Sequence, residues 1–300
     1  MSATTTNFSK IVDFNEETAL DLIVATLQAT PNPRNKVIFE SLIRHLIGFI
    51  AETRLTVQEW HTGLDFLKRT GQMSDDKRDE FQLIDGLLGT EMLLEIINQY
   101  RPDPSTPNSV LGPFFNANAP RKPYMADITG GVAGERVVLH GHVKSLAGKP
   151  IAGAEVDVWQ TDEEGLYDAQ IPGRSEVNLR GKFTTDNEGR YACVVVRARH
   201  YDVPTDGTAG EMLRAMGRKA ARPAHIHMKI DAEGYDTVVT SIFPAGDPLI
   251  GADAAFAVRT RLIAPYLDAT AVDAQRFSMS LPFLTMSYDV VLVPSSSVHK

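Results

Sequence analysis

Two histidines separated by one residue are the first feature of this sequence that could do chemistry. His225 and His227 follow Pro223, a residue that can begin a strand but is not tolerated in its middle. Successive side chains of a strand point to opposite faces, so both imidazoles would share one face, with α-carbons roughly 6.5 Å apart. Such a pair could hold one metal ion, but it could equally be two polar residues on the solvent face of a half-buried strand.

The spacing of this pair is not specific by itself, because His140 and His142 repeat it. Further ligands of a metal would have to come from other segments, and two predicted loops carry tyrosines, Tyr167 and Tyr201. A buried tyrosine is usually an aromatic core residue with a hydrogen-bonded hydroxyl. The residue types therefore permit a metal site without requiring one.

The second half of the chain has the pattern of strands that could position these side chains. Apolar residues alternate with polar ones in six segments, and turns rich in glycine, proline and aspartate separate the segments. The predicted strands cover residues 136–143, 154–160, 191–196, 225–230, 237–243 and 284–293. Many short strands without intervening helices indicate a mostly antiparallel β-sandwich, with one helical insertion at 210–219 just before the histidine strand.

The first half is predicted to be helical, because its apolar residues recur every three or four positions. Helices are expected at 16–28, at 37–51, from a Thr56/Glu59 capping box to about residue 71, and from a cap at Asp75 to about residue 99. Gly86 and Gly89 weaken the last helix by about 1 kcal/mol each relative to alanine. A proline-rich segment at 101–124 then marks a boundary, and we predict an α+β fold.

Composition excludes several classes of function. The formal net charge of −8 and the absence of Lys/Arg runs argue against a nucleic-acid surface. The single cysteine, Cys193, cannot form an internal disulfide and is expected to be a core thiol in a reducing compartment. No apolar run reaches the ~20 residues of a membrane span, and the N-terminal residues lack the apolar region of a signal peptide. We therefore expect a cytoplasmic protein.

Four sequence motifs lie in or next to the tyrosine loops and the histidine strand. They are Gly-Lys-Pro-Ile-Ala-Gly-Ala-Glu-Val-Asp-Val-Trp-Gln, Gly-Leu-Tyr-Asp, His-Tyr-Asp-Val-Pro-Thr-Asp-Gly and Arg-Pro-Ala-His-Ile-His. Together they resemble the intradiol ring-cleavage dioxygenases, specifically the catechol and hydroxyquinol 1,2-dioxygenases, and the resemblance extends over nearly the whole chain. It implies that Tyr167, Tyr201, His225 and His227 bind one non-haem Fe(III). The histidine pair alone would suit zinc or copper equally well.

The resemblance also implies a reaction, the cleavage of a catechol-type ring between its two hydroxyl-bearing carbons by O2. Tyr201 would leave the metal and take up a substrate proton, while Tyr167 would stay bound. Arg222 would stabilise negative charge that develops on the ring, although a salt bridge between loops is the alternative for this arginine. His140 and His142 match no ligand of the family, and we assign them to structure.

Hydroxyquinol (benzene-1,2,4-triol) is the expected substrate, giving 3-hydroxy-cis,cis-muconate or maleylacetate. Val-Leu-Gly-Pro-Phe at 110–114 and Gly-Glu-Met-Leu-Arg-Ala at 210–215 resemble the hydroxyquinol enzymes. Two departures keep catechol or a substituted catechol open: Gly86 stands where an acidic residue is expected, and Ser241 replaces a bulkier glutamine or histidine. The expected substrate pocket is lined by Leu83, Gly86, Leu111, Gly112, Phe114, Val203, Pro204 and Ser241.

The resemblance further implies two domains with different roles. Residues 1–107 would form a helical linking and dimerisation domain, and residues 108–300 the β-sandwich catalytic domain. A homodimer through the helical domain is expected, with a phospholipid between the helices. Two alternatives remain at this point: a transthyretin-like β-sandwich that only binds a partner, and a zinc or Fe(II) enzyme that adds Asp202 or Asp206 to the histidine pair.

Overall fold

The computed structural model of this chain describes residues 12–76, 78–99, 101–171 and 178–295. By its backbone contacts the chain divides into two compact units, one up to residue 69 and one from residue 70 onwards. Within the described ranges, no helix combines the length and the apolar character that crossing a lipid bilayer requires.

The first unit is helical, as its apolar periodicity predicts. It contains α1 (Ala19–Thr26), α2 (Pro33–Thr53) and the beginning of α3 (Val57–Met73). Asn32 caps α2, since its side chain accepts hydrogen bonds from the amides of the second and third helical residues, and Pro33 occupies the first helical position, where no amide hydrogen is needed. The predicted Thr56/Glu59 capping box is confirmed at the start of α3.

The second unit begins with two short helices where the sequence predicted one. They are α4 (Glu80–Leu88) and α5 (Thr90–Asn98). Gly89 separates them with φ +77°, a left-handed conformation that ends α4 and that residues other than glycine rarely adopt. The predicted cap at Asp75 was also wrong, because the side chain of Asp79 accepts the hydrogen bond from the amide of Gln82.

Short strands form most of the rest of the second unit. They are β1 (Arg136–Ser145), β2 (Glu155–Trp159), β3 (Arg180–Thr184), β4 (Arg190–Val196), β5 (Tyr201–Asp202), β6 (Ala221–Arg222), β7 (Ile226–Asp231), β8 (Val238–Pro244), β9 (Ile263–Ala264), β10 (Leu267–Asp268), β11 (Leu284–Ser287) and β12 (Val290–Leu292). Helix α6 (Thr208–Ala215) lies between β5 and β6, and α7 (Ala271–Phe277) between β10 and β11.

The strands form two larger sheets and one small ribbon. One sheet has the order β3-β2-β7-β8-β9, the other has β10-β11-β1-β12 with β4 also paired to β1, and β5 pairs with β6. Most pairings are antiparallel, while β1 runs parallel to β11 and β12, and β8 to β9. Side chains of β2 and β7 pack with those of β1 and β4 in one apolar core, which confirms the predicted α+β sandwich.

Two elements of this unit were missed and one local prediction was wrong. Strand β3 was missed because Arg180 and Lys182 interrupt its apolar pattern; both are buried beside acidic partners. Helix α7 was missed although Thr270 and Asp273 form a capping box at its start. The segment predicted as one strand from residue 284 to 293 is two strands, β11 and β12, which both pair with β1.

Candidate metal centre

His227 of β7 and His225, the residue just before this strand, point away from the sandwich core. Ile226 and Met228 point into the core, so the alternation of side chains directs His225 and His227 to the opposite face. Both histidines are buried nonetheless, because loops from other parts of the unit cover this face. The strand register places His227 opposite Trp159 of β2 on one side and Ser241 of β8 on the other.

Tyr167 comes from the loop that leaves β2, and its position is tightly fixed. Its backbone amide donates to the side-chain oxygen of Gln170 at 2.9 Å, and its ring stacks on Phe114 with centroids 4.4 Å apart. The next residue, Asp168, forms a buried ion pair with Arg180, which also donates to the carbonyl oxygen of Phe114 at 2.9 Å. The predicted ligand is therefore held within its own loop and by contacts to two other segments.

Tyr201 lies on β5, in register with Arg222 of β6. Gly165 of the preceding tyrosine loop packs directly on it: a β-carbon at Gly165 would stand 2.7 Å from the β-carbon of Tyr201. Gly165 also has φ +81°, so glycine is required here for both space and backbone conformation. This close approach brings the two tyrosine-bearing segments together.

The four predicted ligands converge, although they come from separate segments. Nε2 of His227 lies 3.2 Å from Nε2 of His225 and 3.0 Å from the hydroxyl oxygen of Tyr167. The hydroxyl oxygens of Tyr167 and Tyr201 are 3.4 Å apart. Two donors that each lie about 2.0–2.2 Å from one ion, with a donor–ion–donor angle of 90–120°, are about 2.8–3.8 Å apart. All three measured separations fall in this interval, so the donor set fits a single metal ion.

Neighbouring groups prepare the imidazoles for metal binding. Nδ1 of His225 donates to the carbonyl oxygen of Pro223 at 2.8 Å, which leaves the lone pair on Nε2. Nδ1 of His227 lies 3.1 Å from the hydroxyl oxygen of Ser241, which can accept a hydrogen bond from it in the same way. Such outer hydrogen bonds orient metal-binding histidines and fix their tautomer.

Burial sets the charge state of the same groups. It lowers the pKa of His225 and of His227, and the charge of Arg222 lowers both further, so both rings are neutral at pH 7. Burial also raises the pKa of Tyr167, with a further contribution from Tyr201. A neutral imidazole has a lone pair for a metal ion. A buried phenol loses its proton readily only when it binds a strongly charged cation. The electrostatics therefore favour a highly charged metal ion at this point.

The alternative metal site with Asp202 or Asp206 is not supported. Within the described part of the chain, no group of three or more His, Cys, Asp and Glu side chains lies close enough together to hold an ion. Asp206 is instead engaged by Arg78 through hydrogen bonds of 2.7 and 2.9 Å, and Asp202 is exposed. The tyrosine hydroxyls are the oxygen atoms that the structure describes beside the histidine pair, and their role as ligands stays a prediction.

Arg222 lies beside the centre with part of its guanidinium free. Its Nε donates to Asp253 at 3.1 Å, while its Nη2 is buried and has no hydrogen-bond partner. Burial lowers the pKa of Arg222, but the negative charges of Tyr201 and Asp253 outweigh this effect and raise it. Asp253, which sequence reasoning missed, also accepts the amides of Ala255 and Ala257 at 3.1 and 2.9 Å. The salt bridge that was the alternative expectation for Arg222 is therefore present, and its role towards the ring stays a prediction.

Three of the predicted pocket residues lie beside Tyr167 or His227. Phe114 stacks on Tyr167, Gly112 faces His227, and the hydroxyl of Ser241 contacts the Nδ1 side of that ring. A β-carbon on Gly112 would stand 3.5 Å from Cε1 of His227. Leu83, Gly86, Leu111, Val203 and Pro204 have no described contact with the four side chains, and the pocket role of the whole set stays a prediction.

A second histidine pair and a cavity lie away from the four converging side chains. His140 and His142 are on β1 of the other sheet, where His140 packs on Phe277 and Nδ1 of His142 lies 3.1 Å from Asp289. A cavity of about 430 Å³ is lined by residues 197–200 and 244–248, among others. None of the predicted site residues lines that cavity, so its size does not make it the candidate centre.

Comparison with known proteins supports what the geometry indicates. A family model described as "Dioxygenase" matches residues 110–294, and one described as "Catechol dioxygenase N terminus" matches residues 32–106. The 6-chlorohydroxyquinol 1,2-dioxygenase of Cupriavidus pinatubonensis is 42% identical over 86% of this chain and 94% of its own length. The chain belongs to the intradiol dioxygenase family.

Solved structures of other dioxygenases have the same fold. A hydroxyquinol 1,2-dioxygenase from Pseudomonas putida matches with a TM-score of 0.90 and 38% identity, covering 93% of this chain and 99% of its own. The catechol 1,2-dioxygenase of Acinetobacter radioresistens matches with a TM-score of 0.81 and 26% identity over 94% of both chains. This dioxygenase is therefore an oxidoreductase of a family that uses non-haem iron and catechol-type substrates.

Proposed function

We propose that this dioxygenase cleaves hydroxyquinol between its two adjacent hydroxyl-bearing carbons, with Tyr167, Tyr201, His225 and His227 as the ligands of one Fe(III). The observation that carries the proposal is the convergence of two phenol oxygens and two imidazole nitrogens within 3.0–3.4 Å of their neighbours. A shell with two tyrosinates is hard and anionic, and it favours a trivalent ion over a divalent one. When bound, the ferric ion would hold both hydroxyl oxygens of the ring and draw electron density from it.

Tyr201 is the ligand best placed to handle a substrate proton. It is half-buried, whereas the side chain of Tyr167 is 1% exposed and is fixed by stacking on Phe114. We assign Tyr167 as the permanent ligand, and we propose that the hydroxyl oxygen of Tyr201 takes up one of the two protons that the substrate loses. The partial exposure of its side chain leaves Tyr201 less confined than Tyr167.

Arg222 supplies a fixed positive charge beside the bound ring. Its guanidinium stays protonated at any physiological pH. Asp253 anchors Nε, and the unpartnered Nη2 is available to a negatively charged oxygen of the substrate. A preorganised cation of this kind stabilises charge that develops during the reaction without having to reorganise.

Hydroxyquinol is favoured over catechol by the relatives. The names of a 42% identical relative and of a structure with a TM-score of 0.90 refer to hydroxyquinol substrates, while catechol 1,2-dioxygenases of Candida albicans and Acinetobacter radioresistens are 32% and 26% identical. The product would be 3-hydroxy-cis,cis-muconate or its tautomer maleylacetate. Catechol or a substituted catechol, giving cis,cis-muconates, is the second candidate, since Gly86 and Ser241 leave space in the expected pocket.

Turnover measurements on the iron-loaded protein test this proposal. We expect hydroxyquinol to give maleylacetate, identified by mass spectrometry, with two oxygen atoms from ¹⁸O2, and with kcat/KM at least tenfold above that for catechol. A larger kcat/KM for catechol or 4-chlorocatechol would contradict the substrate assignment. Cleavage outside the diol, detected as a yellow semialdehyde product, would contradict the intradiol reaction itself.

We also propose that residues 1–107 join two copies of the chain in a cytoplasmic homodimer, with a phospholipid between the helices. Exposed apolar side chains on α2 and α3 support this assignment; they are Val37, Ile38, Phe39, Leu42, Phe49, Val57, Trp60, Leu64 and Leu67. Light scattering should give twice the chain mass of 32.9 kDa, and organic extraction should release phospholipid. A monomer without lipid would contradict this part of the proposal.

A further inference from the structure

Arg180 is the first member of a row of side chains that crosses one sheet. The strand registers pair Arg180 of β3 with Trp159 of β2, and they pair Trp159 with His227 of β7. Ser241 of β8, opposite His227, completes the row. Residues paired directly across neighbouring strands point to the same face of a sheet. Arg180 therefore shares a face with one predicted metal ligand and with the indole ring that stacks on it.

The guanidinium group of Arg180 anchors the loop that carries Tyr167. Its Nε donates to Oδ2 of Asp168 at 2.7 Å, and its Nη2 donates to Oδ1 of the same carboxylate. Asp168 directly follows Tyr167 in the sequence. A two-point contact between a guanidinium and a carboxylate fixes their orientation as well as their distance. The backbone at Tyr167 is thus tied to strand β3.

The remaining terminal nitrogen of Arg180 holds the residue that packs on the Tyr167 ring. Nη1 of Arg180 donates to the carbonyl oxygen of Phe114 at 2.9 Å. The ring of Phe114 in turn stacks on that of Tyr167 with an interplanar angle of 21°. Arg180 is 3% exposed. One buried side chain therefore fixes both the residue after the predicted ligand and the residue against its ring.

The neighbours of Tyr201 are held less firmly than those of Tyr167. His200, directly before Tyr201, lies 3.8 Å from Asp247, and its side chain is 55% exposed. Asp202, directly after Tyr201, is exposed. Exposed charged groups gain little from pairing, because water screens them. The two tyrosine segments therefore differ in how strongly the surrounding side chains restrain them.

We propose that Arg180 is a positioning residue that keeps Tyr167 bound to the metal while Tyr201 is free to leave it. This inference rests on the proposed function, because it needs both tyrosines as ligands of one ferric ion. Arg180 acts through Asp168 and Phe114 rather than by contact with the metal. Its planar group suits this role, since it donates to a carboxylate with two nitrogens and to a carbonyl oxygen with the third.

Lys182 provides a matched control on the same strand. It lies two residues after Arg180 and therefore on the same face of β3. Its Nζ forms a buried ion pair with Asp157 at 2.7 Å and contacts Glu155 at 3.0 Å. Replacing Lys182 removes a buried cation from β3 without removing a bond to Asp168 or Phe114. An effect that comes only from the loss of such a cation should appear in variants of both residues.

The experiment measures the visible charge-transfer band per bound iron in Arg180→Met, Arg180→Lys and Lys182→Met. We expect Arg180→Met to lose about half of the band and to raise the dissociation constant for iron about 10–100-fold, because one of two tyrosinates no longer binds firmly. Arg180→Lys should lose less, since an ammonium can still pair with Asp168. Lys182→Met should keep the whole band. An equal loss in Lys182→Met, or a whole band in Arg180→Met, would overturn the inference.

A second measurement remains decisive if Arg180→Met does not fold. Arg180→Lys is combined with Tyr167→Phe, so that the remaining band comes from Tyr201 alone. We expect Arg180→Lys to leave this remaining band unchanged, because two changes that act through one ligand are not additive. A further loss would show that Arg180 supports the whole centre, and it would overturn the inference. A colourless iron-loaded protein without substitutions would instead contradict the proposed ligands, and that result is distinguishable from a failure at Arg180 alone.

Discussion

The indole ring of Trp159 lies parallel to the imidazole ring of His227, with an interplanar angle of 1° and centroids 4.8 Å apart. The two residues are directly paired between β2 and β7, and both are almost fully buried. Gly112 faces the edge of the same imidazole, and Ser241 lies at its Nδ1. His227 is thus held by contacts around the whole ring, and its orientation is set before any metal binds.

Removing this stack should weaken metal binding. Trp159→Leu frees the His227 ring to turn, and we expect about a tenfold increase in the dissociation constant for iron, at the lower end of what outer-shell replacements cost. Chelator competition measures this constant. Trp60→Leu is the control, since Trp60 is on α3 and 36% exposed. Equal iron affinity in both variants would show that the stack does not position the histidine.

The ion pair between Arg222 and Asp253 should make stability depend on pH in the acid range. Burial raises the pKa of Asp253, but the charge of Arg222 and the amides of Ala255 and Ala257 lower it more, so the net shift is downward. A carboxylate whose pKa is lowered in the folded state stabilises the protein above the unfolded-state pKa of about 4. This stabilisation is lost as pH falls from there through the lowered folded-state pKa.

Asp253→Asn tests this dependence. The variant leaves a buried arginine without its counter-ion, so we expect a loss of about 3 kcal/mol in the free energy of unfolding at pH 7. The loss should shrink as pH falls below about 4, where the carboxylate becomes protonated first in the unfolded chain, and it should disappear only below the lowered pKa of the folded protein. Urea denaturation measures both values, and Asp268→Asn at an exposed position is the control. A loss that stays constant down to pH 3 would contradict the assignment.

A buried carboxylate at Glu80 joins α4 to the segment after Tyr201. Its oxygens accept from Nε of Arg78 and from the amide of Ala209, each at 2.8 Å. Arg78 binds Asp206 as well. We expect Glu80→Gln to lower the free energy of unfolding by about 3 kcal/mol, because it leaves Arg78 and the amide with a weaker acceptor. Glu233→Gln at an exposed position should change it by less than about 0.5 kcal/mol.

Two glycines of the expected pocket should respond in opposite ways to alanine. Gly86 lies inside α4, and the nearest atom to an added β-carbon is 3.6 Å away, so Gly86→Ala should raise the free energy of unfolding by about 0.5–1 kcal/mol. Gly112 has φ +74°, a conformation that is strained for alanine, so Gly112→Ala should lower it by about 1 kcal/mol or more. Chemical denaturation separates the two outcomes, and the same sign for both would contradict the described backbone.

Sequence patterns that act over a few residues predicted the histidine strand and the helices of the first half. The alternation around His225 and His227 placed both rings on one face, and the structure brings their Nε2 atoms to 3.2 Å. The helical periodicity of the first half was confirmed, as was the Thr56/Glu59 capping box. Both features follow from rules that act over a few residues, so the sequence alone sufficed for them.

The convergence of the tyrosines could not be derived in this way. Tyr167 leaves β2 and Tyr201 lies on β5, so their approach depends on sheet order and on the close packing of Gly165 against Tyr201. Only the family resemblance indicated them. Asp253 was missed for a similar reason, because its ion-pair partner Arg222 lies in a segment distant in sequence.

The central claim is that two tyrosinates and two histidines bind one ferric ion, and the visible spectrum of the iron-loaded protein tests it most directly. We predict one iron per chain and a red-brown protein whose charge-transfer band is enhanced with tyrosinate vibrations in resonance Raman spectra. Tyr167→Phe and Tyr201→Phe should each remove part of that band, and His225→Ala should lower iron content. A colourless iron-loaded protein, or an unchanged spectrum in both tyrosine variants, would contradict the claim.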